Sequence, residues 1–267
     1  MLILRRFISG AILIPVVSIP AIVGGALYFG LILAAASIAA FEYDDLMRRG
    51  GYRPERLWGF TLILLLLADA AFPNNRIMQS GLPLFVMLTL AVPLRWNNLD
   101  GALLNWALTL AGALYIGVLL AQFIVLRQLD LGLPLSGLAA LVTWVSDTGA
   151  YFIGTRWGRR RLAPRISPKK SWEGAIGGGL LAVLVGIVWA LYTMPNILLV
   201  HIVILSVLIV VAGMIGDLAE SLLKRQVGAK DAGEFIPGHG GVLDRIDSLM
   251  FAFAVTTLYA VWVLNLK

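Results

Sequence analysis

The chain has 267 residues, 60% of them apolar and only 13% charged, with 21 Lys and Arg against 15 Asp and Glu for a net charge of +6. An ordinary soluble domain carries about twice that share of charge, so the composition excludes a disordered chain, a collagen-like fibre and a disulfide-stapled module. With no cysteine there is no thiolate nucleophile and no Cys-ligated zinc or iron–sulfur centre, and the balance of residues describes a chain whose solvent is mostly lipid.

A helix that crosses a hydrocarbon core of roughly 30 Å needs about 20 mostly apolar residues. Nine such runs follow in chain order: 10–28, 30–47, 58–72, 80–95, 102–126, 134–155, 174–192, 197–219 and 248–266. Arg5 and Arg6 ahead of the first run imitate a secretory signal, but further spans follow at once, so it is read as a retained helix. The third and fourth runs are short, and the fourth contains Pro83 and Pro93. The stretch 102–126 lacks the polar face of a soluble surface helix. The runs are continuous rather than alternating, which excludes lipid-facing barrel strands. The expected fold is therefore all-α: a polytopic integral membrane bundle of about nine transmembrane helices in one membrane domain over 1–267.

Basic residues set the orientation. With the N-terminus cytoplasmic and the runs alternating, 18 of the 21 Lys and Arg fall on the cytoplasmic side, leaving Arg76, Arg127 and Lys267 opposite. In a bacterial cell this places the protein in the inner membrane. Because the basic residues track topology and form no single groove, nucleic acid is not an expected partner. Glycines 174, 177, 178 and 179 open the seventh run with the spacing of close helix packing.

Charge is costly in or beside a span, so it marks the informative positions. Glu42, Asp44 and Asp45 near the end of the second run read as a solvated helix end, and Asp69 has no evident role. Asp147 sits inside the sixth run, where it should face a wet cavity, a cation or a basic partner, or else pack by a hydrogen bond. If the eighth helix continues past 219, Asp217, Glu220, Ser221 and Lys224 share one face at i, i+3, i+4 and i+7. Pro237-Gly238-His239-Gly240-Gly241 is no helix interior and offers backbone N–H groups to an anion. Asp244, Asp247 and Ser248 then open the last span at i, i+3 and i+4. Ser167, Lys169, Lys170 and Ser171 precede the seventh helix, whose N-terminus attracts anions. His201, with apolar neighbours, reads as structural. Carboxylates from the ends of two helices with basic residues between them suit a divalent cation and phosphates, since hard oxygens hold Mg²⁺ while Lys and Arg neutralise the anion.

The string Ser221-x2-Lys224-Arg225-x4-Lys230-Asp231-x-Gly233-x2-Ile236-Pro237-x-His239-Gly240-Gly241-x2-Asp244-Arg245-x-Asp247 resembles the signature of the phosphatidate cytidylyltransferases, the CDP-diacylglycerol synthases. Ser146–Tyr151 and Ser167–Gly174 resemble that family too, so the motifs cover 146–248. The resemblance implies transfer of the cytidylyl group from CTP to phosphatidate, giving CDP-diacylglycerol and pyrophosphate, for phospholipid biosynthesis. It also implies Mg²⁺, a cytoplasm-facing polar cavity and a homodimer, with N-terminal helices in 1–133 and catalytic helices and loops in 134–267. Asp217 and Asp244 are then the expected metal ligands. Asp147 and Asp247 would be cavity carboxylates, outside the metal's direct ligands or holding a second cation. Lys169, Lys170, Lys224, Arg225, Lys230 and Arg245 would bind phosphates, Ser167 and Asp231 would lie on the substrate, and Ser221 and His239 would orient or protonate leaving-group oxygens. An ion-coupled transporter would instead show paired halves with a midplane site. A CDP-alcohol phosphotransferase would carry an Asp-Gly-x2-Ala-Arg motif that is not here. A lipid-binding scaffold would not need the His-Gly-Gly-x2-Asp-Arg-x-Asp spacing. A cytidylyltransferase acting on an isoprenoid or ether-lipid phosphate stays open.

Overall fold

The computed structural model describes residues 14–95, 99–233 and 240–267. Among these the helices are α1 (Ile14–Val23), α2 (Gly25–Arg49), α3 (Arg56–Ala71), α4 (Ile77–Ala91), α5 (Ala102–Gln128), α6 (Gly132–Trp157), α7 (Trp172–Thr193), α8 (Leu199–Gln226) and α9 (Leu243–Trp262). By length and composition, α2, α4 with the 3₁₀ turn that extends it, α5, α7 and α8 suffice to cross a membrane. The protein is all-α and membrane-embedded, as its sequence implies. Arg5, Arg6, Pro237, Gly238 and His239 lie outside the described residues.

Three boundaries differ from the sequence reading. The first two helices part at Gly24 and Gly25, not near residue 29, because both glycines take positive φ (75° and 58°) and interrupt an otherwise apolar run. The loop expected at 220–247 is shorter, since α8 runs on to Gln226. The loop expected at 156–173 is partly a hairpin, in which β1 (Arg161–Ala163) pairs antiparallel with β2 (Ser167–Ser171).

The chain divides into two compact units. The first holds the residues up to Val125 together with Gln226–Asp244. In it the turn from α2 to α3 closes on Asp44, which accepts from Arg48 Nε at 2.7 Å and from Arg56 Nη2 at 2.5 Å. Asp44 and Glu42 are buried, so neither belongs to a solvated helix end; only Asp45 is exposed as expected. Buried carboxylates are costly to leave bare, and the chain supplies partners for both. Asp69 acquires a role as well, because its Oδ1 accepts from the backbone N–H of Met78 (2.9 Å) at the start of α4.

The second unit holds Leu126–Arg225 and Arg245–Lys267. Its α7 is inverted relative to a soluble helix. Gly174, Gly178, Gly179, Ala182, Gly186 and Ala190 are buried, while Ile176, Leu180, Leu184 and Leu191 are exposed. In lipid large apolar side chains gain nothing by hiding, and small ones let backbones approach. A Cβ added at Gly178 would lie 2.5 Å from the Ser146 carbonyl on α6, so the glycine run packs helices. The hairpin feeds α7 through Ser171, whose Oγ accepts from Gly174 N–H at 3.2 Å. Glu173 folds back to accept from the N–H groups of Arg159 and Arg160. His201 is structural, with Nδ1 2.8 Å from the Tyr259 hydroxyl.

Gly178→Ala should therefore cost about 1–3 kcal/mol of stability through overpacking. Leu184→Ala, on the exposed side of the same helix, should stay within about 0.5 kcal/mol. Thermal unfolding of the purified protein in detergent compares the two.

Candidate active site

In the second unit, α8 continues as a helix through its polar end and presents Asp217, Glu220, Ser221 and Lys224 along one side, as the spacing implies. Lys170, at the end of β2, forms an ion pair with Asp217 Oδ2, and Ser221 Oγ donates to Asp217 Oδ1 at 3.3 Å. Asp147 is exposed on α6 within electrostatic reach of Asp217, Asp247 and Lys170. Asp247 on α9 is buried, accepts from the Ser248 N–H at 2.6 Å, and lies against Glu220 within reach of Asp217 and Lys224. Three carboxylates and two lysines expected at the site thus come together in one unit.

Two ion pairs in this group differ in kind. Lys224 Nζ donates to Glu220 Oε2 at 2.8 Å, with side chains only 10% and 0% exposed. Lys170 and Asp217 are 27% and 30% exposed. The first pair is fixed inside the protein, so Lys224 is engaged with Glu220 and not simply presented to a phosphate. The second is open to solvent, and its lysine sits on a flexible stem that another cation can displace. Arg225 Nε donates to the Ile166 carbonyl at 3.2 Å and so ties the end of α8 to the hairpin turn. Lys169 and Arg245 are exposed, and Ser167 pairs with Ala163 in the hairpin.

The first unit holds the other expected carboxylate. Asp244, in the first turn of α9, accepts on Oδ2 from the N–H groups of Ala232 (3.0 Å) and Gly241 (3.1 Å). The next two N–H groups, of Val242 and Leu243, donate to Glu42 at 2.9 and 2.7 Å. The N–H groups from Gly241 to Leu243, at the end of the glycine-rich segment, therefore serve carboxylates of the chain itself and not a bound anion. Lys230 and Asp231 are exposed in the same unit, and His239 lies outside the described residues.

Glu42 and Glu220 carry roles that the sequence reading missed. A signal for Glu42 was present: it stands three residues after Ala39 and four before Leu46, both fully buried, so it occupies the apolar stripe of α2. Among the described residues no three His, Cys, Asp or Glu side chains are grouped to hold a metal by themselves. Asp217 offers hard oxygens and already takes a cationic partner in Lys170, which suits a magnesium ion that keeps waters and substrate oxygens in its shell.

Carboxylates and lysines grouped at the polar helix ends of an all-α bundle suit chemistry on phosphates. The sequence model of the cytidylyltransferase family matches residues 4–263. A phosphatidate cytidylyltransferase of Bacillus subtilis is 34% identical over 252 residues, 92% of this chain and 93% of its own length. One from Brucella suis is 36% identical over 243 residues, 88% of this chain and 85% of its own. One from Haemophilus influenzae is 43% identical over 128 residues, 46% and 44% of the two chains. The chain belongs to the cytidylyltransferase family.

Lys224→Met should destabilise the protein by about 3–5 kcal/mol, because it strands the Glu220 carboxylate in a dry interior. Lys170→Met should cost about 1 kcal/mol or less, since that pair is partly solvated. Denaturation midpoints of the two variants in the same detergent provide the comparison.

Proposed function

We propose that the protein transfers the cytidylyl group of CTP to phosphatidate, forming CDP-diacylglycerol and pyrophosphate for phospholipid synthesis. The observation that carries this reading is end-to-end similarity to phosphatidate cytidylyltransferases, joined to a grouping of Asp147, Asp217, Asp247 and Lys170 whose excess of carboxylates suits a divalent cation able to bind phosphates. A phosphate oxygen of the lipid attacks the α-phosphorus of CTP. The bond from that phosphorus to the bridging oxygen of the β-phosphate breaks, and pyrophosphate leaves with the electron pair. A phosphate dianion is already a nucleophile, so the work is charge neutralisation and alignment, and no strong base is needed.

Asp217 and Asp244 are the proposed holders of Mg²⁺. When bound, the ion neutralises phosphate oxygens and draws charge from the α-phosphorus. Lys170, whose ion pair with Asp217 is partly solvated, would bind phosphate together with Lys169, Arg225, Lys230 and Arg245. Lys224 acts on the phosphates through the field it shares with Glu220 and Asp247. Asp147 and Asp247 complete the acidic group, Ser221 keeps Asp217 oriented, Ser167 and Asp231 would bind substrate, and His239 would orient or protonate a leaving-group oxygen. The distribution of basic residues supports a site at the cytoplasmic face, which in a bacterial cell means the inner membrane. There a soluble nucleotide and a lipid head group meet, and a basic rim attracts the anionic lipid. A homodimer is the proposed assembly.

Detergent-purified protein given labelled CTP, phosphatidate and Mg²⁺ should yield labelled CDP-diacylglycerol and one pyrophosphate per lipid. Chelation should abolish the reaction, and Asp217→Asn should reduce it by about 100-fold or more. No product from the wild type with phosphatidate, alongside turnover of another lipid phosphate, would contradict the substrate assignment. An Asp217→Asn enzyme with wild-type rate and Mg²⁺ requirement would contradict the site.

A further inference from the structure

Glu42 is a buried carboxylate on α2 for which the reaction itself gives no task. Its two oxygens are both engaged: Oε1 accepts from the Val242 N–H at 2.9 Å and Oε2 from the Leu243 N–H at 2.7 Å. Those groups lie two hundred residues away in sequence, where α9 begins. They are donors that a helix start leaves without intrahelical partners, and a carboxylate is their best answer because the helix dipole adds to the hydrogen bonds.

The chain around Glu42 is shaped to admit it. A Cβ on Gly233 would come within 2.6 Å of Oε1, and one on Gly241 within 2.7 Å of Oε2. The backbone at Gly233 and at Gly241 therefore runs against this one side chain. Asp244 is held by the same stretch, through the N–H groups of Ala232, beside Gly233, and of Gly241, beside Val242. Both bonds land on Oδ2, so the direction of the Asp244 carboxyl follows the placement of a loop that Glu42 pins.

We infer that Glu42 is a positioning residue: by clamping the N–H groups of Val242 and Leu243 it fixes the loop that aims the Asp244 carboxylate at the cation. The inference rests on the reading of Asp244 as a metal-holding residue. Glu42 does not touch the reacting atoms, because its oxygens are spent on backbone N–H groups. Its loss weakens the cation's seat and leaves the binding of the lipid tail as it was.

The test compares Glu42→Gln, Glu42→Ala, Asp44→Asn and Asp244→Asn, each in full-length protein, by CTP-dependent turnover at varied Mg²⁺ and varied phosphatidate, with melting temperatures alongside. Glu42→Gln keeps one acceptor and turns an NH₂ toward the other N–H. It should raise the Mg²⁺ concentration for half-maximal rate by about tenfold, with the phosphatidate KM within about twofold of wild type. Glu42→Ala should shift the Mg²⁺ requirement further; where it fails to fold, the Gln variant decides. Asp44→Asn disturbs a neighbouring buried carboxylate on the same helix. It should lower the melting temperature with no change in Mg²⁺ requirement, which separates positioning from general destabilisation. If Asp244→Asn loses activity while both Glu42 variants keep the wild-type Mg²⁺ requirement, or if Asp44→Asn shifts that requirement as much as Glu42→Gln, the positioning role is overturned and the metal reading stands. If Asp244→Asn itself keeps wild-type rate and Mg²⁺ dependence, the metal reading falls and the inference with it.

Discussion

A carboxylate on a helix surrounded by lipid must have its charge answered, and the way each one is answered here sorts structural residues from chemical ones. Asp44 is answered by two arginines at 2.7 and 2.5 Å, Glu42 by two backbone N–H groups, and Glu220 by a lysine one helical turn away. These three carboxylates are themselves buried, although the arginines that answer Asp44 are 47% and 42% exposed. Among the described residues the cation paired with Asp217 is Lys170, and the Asp217 side chain is 30% exposed. A pair of that kind exchanges one cation for another at modest cost, which is what a site handling Mg²⁺ and polyphosphate requires.

The packing of the second unit serves this arrangement. Because α7 buries its glycines and alanines and turns its leucines outward, α6 and α7 approach until backbone meets backbone at Gly178 and Ser146. The same contact carries the Ser146-Asp147 stretch beside the helix that the hairpin feeds. Lys170 stands at the end of that hairpin, two residues before α7 begins, with Ser171 as the cap between them. Helix approach and charge placement are thus one piece of geometry: a residue larger than glycine at the crossing would move Asp147 relative to Lys170.

Much of this was legible in the sequence. Each of the nine apolar runs overlaps a helix among the described residues, and five of those helices are long and apolar enough to cross a bilayer. The face formed by Asp217, Glu220, Ser221 and Lys224 follows from helical periodicity alone. What escaped was tertiary. Glu42 lies beside Asp44 and Asp45 at a helix end, a pattern that usually means solvent. Its partners are backbone groups two hundred residues away, and no local pattern encodes them. The hairpin was hidden because its strands are only three and five residues long and rich in charge. The helix break at Gly24 and Gly25 sits inside an apolar run, where hydropathy is blind to backbone conformation.

The proposed function assigns the cation to Asp217 and Asp244, with the nucleotide phosphates in its shell. Electron paramagnetic resonance of Mn²⁺ supplied in place of Mg²⁺, with CTP present, reads this directly through hyperfine coupling to phosphorus. The account predicts tight Mn²⁺ binding with phosphorus coupling in the wild type, and loss of both in Asp217→Asn and in Asp244→Asn taken singly. Wild-type binding and coupling retained in either variant would contradict it.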